Sequence, residues 1–156
     1  MEYEQRISKT DLARNTHHVI REAQRGYTVV VENHGQAEVA IVDILDFQLQ
    51  RAAIQYFSNP QNFDQDVDIT EAILESLPDD QSRCDLVIGH YLAVHISLGR
   101  AAELVKLPFD ELRGRLVRSG IPLRTGPESV NELKAELKQL KKSGSVPVTC
   151  ERSFPQ

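Results

Sequence analysis

"TVVVENHGQAEVAIVD", Thr28–Asp43, is the stretch on which the reading of this chain turns. Tyr27 to Val31 is aromatic and β-branched, the composition of a strand. Asn33-His34-Gly35 supplies residues that tolerate positive φ, as a tight hairpin turn requires. Ala37 to Val42 returns as the second strand. A two-stranded ribbon is too small to be stable alone, so neighbouring elements must cover it.

Upstream, Gln5 to Ile7 reads as a short strand. Ser8 or Thr10 can cap a helix whose first turn holds Asp11, favoured at the positive helix end. Leu12, Thr16, Val19, Ile20 and Ala23 recur at helical period, which predicts one continuous helix. Gly26 comes next as its C′ residue. Downstream, Asp43 is expected to cap a helix with Leu45, Leu49, Ala52, Ala53 and Tyr56 on its apolar face. Residues 1–57 are therefore a β-α-β-β-α unit.

The rest of the chain changes character. Residues 58–81 read as an acidic linker with a short helix near Ile69 to Leu77, stopped by Pro78. Residues 82–142 read as an all-α domain of helix-turn-helix type, and residues 143–156 as a flexible tail. In the second unit Leu86, Val87, His90, Tyr91 and Val94 suit one helix. Ser97 caps a second, Phe109, Leu112 and Leu116 line a third, and Val130 to Lys142 forms the last. The expected class is α+β: the N-terminal unit, the acidic linker and the helical C-terminal domain.

Net charge is −5, but it is unevenly spread. Residues 58–82 carry seven Asp/Glu and no Lys/Arg, whereas residues 83–156 carry twelve Lys/Arg against eight Asp/Glu. Overall acidity therefore leaves nucleic-acid binding open, since binding needs only a local basic patch. The apolar runs are short and bounded by polar residues, so no membrane span is expected. The opening MEYEQRISKTD has early acids and no apolar core, unlike a signal peptide. Cys84 and Cys150 lie far apart without ligand-like spacing, which fits a reduced cytoplasm.

Three stretches carry candidate chemistry. In "SLGRAAELVKLPFDELRGRL", Ser97–Leu116, Ala102, Leu107 and Leu112 fall where a helix-turn-helix needs a small crossing residue and two apolar locks. Lys106 stands where the turn prefers glycine. Arg113, Arg115 and Arg118 on the second helix can reach phosphates or guanine edges. A plain helical hairpin with a solvated charged face fits equally well. "DQDVDITEAILE" places Asp64, Asp66, Asp68 and Glu75 in a calcium-loop register, but Ile69 replaces the required glycine and Glu71 an apolar residue. No metal is expected there. Instead Phe63, Ile69, Ile73 and Leu77 can fold onto a partner. His17, His18, His34, His90 and His95 have no ligand spacing, and structural or surface roles are expected of them. No phosphate-binding glycine loop and no nucleophile elbow occurs, so neither an enzyme nor a cofactor is expected.

The segment "ISKTDLARNTHHVIREAQRGYTVVVENHGQAEVAIVDILDFQ" resembles the Phd/YefM type II antitoxin family. The likeness lies in the Ile-Ser start, Leu-Ala-Arg-Asn, the helix ending in Arg-Gly, the "TVVV" strand, the turn with Gly and the "AEVAIVD" strand. It spans roughly the first third of the chain. "HISLGRAAELVKLPFDELRGRLVRSGIPL" resembles a family of short helix-turn-helix proteins that accompany PIN-domain toxins, with Lys106 replacing their turn glycine. The resemblance implies a homodimer built through the N-terminal domain and operator DNA bound by that region. It also implies a toxin neutralised by the segment after that domain. Carried over by position, Lys9 and Arg14 face DNA, with Arg6 a weaker addition. Each competes with the reading of an ordinary solvated charge. The expectation is an antitoxin that represses its own transcription. A protein-interaction adaptor without a DNA role is the alternative.

Overall fold

A computed structural model describes residues 3–124 and Lys138. The chain divides into two units, Met1–Leu123 and Arg124–Gln156. Of the second, only Arg124 and Lys138 are described. The helix expected over Val130 to Lys142, apart from Lys138, lies outside the described residues, as do the tail and Cys150.

The first unit is mixed α+β, with three strands and seven α-helices among the described residues. Strand β1 (Glu4–Ser8) leads into α1 (Lys9–Arg14) and α2 (Thr16–Gln24). Strands β2 (Thr28–Asn33) and β3 (Gln36–Ile41) form the hairpin, with His34 at φ 51° and Gly35 at φ 77° in its turn. The sheet order is β1-β2-β3. β1 runs parallel to β2, with Glu4 opposite Thr28, and β2 runs antiparallel to β3, with Val31 opposite Val39. Parallel pairing needs a crossover, which α1 and α2 provide.

The single helix expected after β1 is two helices. Ser8 caps α1, accepting from the Asp11 amide, but Asn15 leaves helical geometry at φ −124° and ψ 33°. Asn and the β-branched Thr16 are weak helix formers. The Thr16 hydroxyl instead donates to the Leu12 carbonyl at 2.8 Å. Of the expected apolar stripe, Val19 and Ala23 are buried, while Thr16 and Ile20 face outward. Gly26 ends α2 at φ +98°, as a C′ residue should.

Helix α3 (Ile44–Ser58) comes next, then a 3-10 turn (Pro60–Phe63), α4 (Glu71–Ser76), α5 (Asp80–Leu92), α6 (Leu98–Val105) and α7 (Phe109–Arg118). The main core is continuous from Leu49 and Ala52 of α3, through Ile69, Leu74, Val87, Ile88 and Tyr91, to Leu112, Leu116 and Ile121. α3 thus packs chiefly against α5, across the stretch that reads as a linker. That stretch folds because its apolar residues are spaced to turn inward. Phe63, Ile69 and Leu74 are buried while Asp64, Asp66, Asp68, Glu71 and Glu75 stay outside. Among the described residues no helix is long and apolar enough to cross a membrane.

Candidate functional site

The basic residues near the N-terminus sit where β1 passes into α1. Ser8 fixes that junction by capping α1, which places Lys9 at the first helical position. The Lys9 ammonium pairs with Glu38 of β3. Hydrogen bonds from Lys9 and then from Asn33 hold the Glu38 carboxyl below its ordinary range. Arg6 projects from β1 and pairs with Glu4 at 2.9 Å and Glu32 at 2.7 Å. Arg14 is exposed and, among the described residues, has no ion pair. Sequence reading missed one neighbour. The Arg21 guanidinium lies 3.0 Å from His17, and both are exposed on α2. Their i, i+4 spacing was the available signal. Exposed pairs of this kind contribute about 0–1 kcal/mol, so a phosphate can displace Glu38 or Glu32 at small cost.

α6 and α7 pack together across the short turn at residues 106–108. Ser97 caps α6, and Lys106 closes it in the left-handed region at φ 59° and ψ 41°. Lys106 therefore occupies the conformation for which glycine is preferred. Ala102 and Leu112 are buried at the crossing, and Leu107 packs against the core.

The three arginines of α7 do not act together. Arg113 is exposed. Arg115 turns inward, its side chain only 11% exposed, and donates to Asp43 at 2.7 Å, Asp46 at 2.9 Å and Glu111 at 3.0 Å. Burial lowers its pKa, but the hydrogen bonds it donates to Asp46, Glu111 and Asp43 outweigh that and hold it above the ordinary arginine value. Arg118 also faces inward, 3.7 Å from Asp46, with its guanidinium 5.9 Å from the centre of the Tyr3 ring. Of the three α7 arginines expected to reach DNA, only Arg113 is exposed, while Arg115 and Arg118 are engaged by the carboxylates of α3 and its N-cap. The cause is the carboxylate pair at the start of α3, which sequence spacing does not reveal. For the same reason Asp43 sits at the N-cap of α3 without capping it, because its carboxylate is engaged by Arg115.

The expected partner-binding residues are similarly divided. Phe63 is buried against Tyr56, with ring centroids 5.7 Å apart, and Ile69 is 3% exposed in the main core. Leu77 is half-buried, and only Ile73 is exposed. A cavity of about 340 Å³ lies between α3, α4, α5 and α6, floored by Leu45, Leu74, Val87 and Leu104. Glu71, Glu75 and Asp80 stand on its lining, with Arg83 and Lys106. Cys84 also lines it, and burial, helped by Asp85, pushes its thiol pKa up to about 12, so the thiol stays protonated. Among the described residues no three His, Cys, Asp or Glu side chains group as a metal ion would need.

Two apolar surfaces escaped the sequence reading. Ile44, Phe47, Ile54 and Phe57 are exposed along α3, with Arg51 stacked over Phe47 at 5.7 Å. β3 is exposed along nearly its whole length, including Val39, and forms an edge of the sheet.

No family model, no curated protein and no solved structure matches the chain.

Proposed function

We propose that this protein is an antitoxin-like transcriptional regulator: a homodimer that binds operator DNA through its N-terminal region and neutralises a toxin, of which a PIN-domain ribonuclease is the favoured kind. The observation that carries this reading is that Arg6 on β1 and Lys9 and Arg14 at the two ends of α1 are all exposed, with Lys9 paired to Glu38 of β3, which is an exposed edge strand among the described residues. An exposed edge is a template for pairing with a second chain. A two-fold pair would present the basic group twice, as operators with two half-sites require. Phd/YefM-like order along the first third of the chain supports the same assignment. Arg113 is the one α7 arginine able to add a contact. The acidic face of residues 64–80, with Ile73 exposed on it, complements a basic partner and would raise the association rate.

A second reading has its own support. The exposed row Ile44, Phe47, Ile54 and Phe57, and the inward turn of Arg115 and Arg118, suit a protein-interaction adaptor with no DNA role. One experiment separates the two. The native complex is purified, its partner identified by mass, and the complex is offered its own promoter fragment. A small ribonuclease partner together with a shifted promoter supports the antitoxin. A different partner and no shift at low salt supports the adaptor and ends the first reading.

A further inference from the structure

We propose that His90 and His95 form a proton-operated latch, which holds the connection between α3 and α4 closed near neutral pH and releases it on acidification. The inference stands on the geometry around α5 and does not depend on the proposed function.

His90 lies in the last turn of α5 and is 4% exposed. Beyond the helix, Val94 adopts φ 69°, a left-handed conformation that β-branched residues rarely take. That turn brings His95 back over the helix end. Its amide donates to the His90 carbonyl at 2.9 Å, and the two Nδ1 atoms meet at 2.8 Å. The Phe63 ring packs edge-on against His90, with centroids 5.3 Å apart. Gly89 makes room for it, since a Cβ there would fall 2.1 Å from the Phe63 ring. Phe63 anchors the connection, so the histidine pair and the connection share one contact.

An Nδ1–Nδ1 hydrogen bond needs one nitrogen with a proton and one without. One added proton, on the Nε2 of the donor ring, leaves that bond intact. A second puts a proton on both Nδ1 atoms, and attraction becomes repulsion between two cations. The groups facing the pair are Asp66 and Asp68 of the connection and Arg100 of α6, which line the cavity beside His95. From α3 comes Tyr56, whose ring packs on Phe63. Asp66 favours the charged form of His90, but burial and then His95 outweigh it, so the His90 pKa is lowered. A lowered pKa means that the closed form binds protons less readily than the open one. Closure is therefore complete above the ordinary histidine value of about 6.5 and weakens as pH falls below it.

The test pairs histidine ring NMR with amide hydrogen exchange between pH 7.5 and 5, corrected for intrinsic rates. His90 should titrate below the ordinary histidine value, and that depression should shrink in His95→Gln. Amides of residues 61–69 should exchange at least about tenfold faster at the acid end, while those of α7 do not change. The His95→Gln variant, which can bond but not titrate in this range, should abolish that acceleration. The latch is overturned if His90 titrates at the ordinary histidine value, if α7 accelerates equally, or if His95→Gln keeps the response.

Discussion

Two residues show how backbone conformation sets local stability. Lys106 closes α6 in the left-handed region, where a Cβ costs about 1–2 kcal/mol relative to glycine. Its side chain is exposed, so its removal sacrifices little packing. Lys106→Gly is expected to stabilise the protein by about 1 kcal/mol in urea unfolding. An unchanged or lower midpoint would show that the turn is not strained. Gly26 is the converse case. It combines φ +98° with an Arg118 guanidinium that a Cβ would meet at 2.6 Å. Gly26→Ala should cost about 1–3 kcal/mol from conformation, and more if Arg118 cannot move aside. Thermal unfolding would read this, and an unaltered Tm would contradict it.

At the scale of elements, the decisive contact is between the start of α3 and the end of α7. Arg115 neutralises Asp43 and Asp46 where both are largely buried. Removing the arginine leaves Asp43 enclosed without a cation and Asp46 with only the more distant Arg118, so Arg115→Ala is expected to cost about 3–5 kcal/mol. Arg115→Lys keeps the charge but not the forked geometry, and should fall between. If Arg115→Ala instead unfolds like the unchanged protein, the contact is a surface pair only. This pairing also marks the limit of what the sequence reveals. The hairpin was legible because Asn33-His34-Gly35 and the flanking β-branched runs are local signals. The caps at Ser8 and Ser97 were legible for the same reason. The break at Asn15 was not, because it turns on one hydroxyl choosing the Leu12 carbonyl. Nor was the inward turn of Arg115, whose partners lie about seventy residues away in sequence. An arginine on a helix looks the same from its neighbours whether it meets solvent or a distant carboxylate. The pairing of Lys9 with Glu38 was not legible either, because it joins α1 to a strand further along the chain.

For the molecule as a whole, the boundary suggested by composition does not coincide with a gap in packing. Acidic segments usually read as linkers, but in residues 58–81 the buried Phe63, Ile69 and Leu74 decide the outcome over the charges. Because α3 completes the helical core, a fragment ending at Phe57 would expose Leu49, Ala52 and Ala53, all buried in the intact chain. Such a fragment is expected to lose the α3 helical signal in circular dichroism or to aggregate. A fragment with full helicity for its length would show that the first third folds independently.

DNA binding by the β1–α1 region is the central functional claim, and salt dependence reaches it most directly. Fluorescence anisotropy of a labelled promoter fragment, titrated with the full-length protein over a range of salt, gives the slope of log affinity against log salt. Binding at low salt with a steep negative slope is expected. In Lys9→Ala/Arg14→Ala that slope should become shallower by about one for each phosphate no longer neutralised. Absence of binding at low salt, or a double variant with the slope and affinity of the unchanged protein, would contradict DNA recognition by this region.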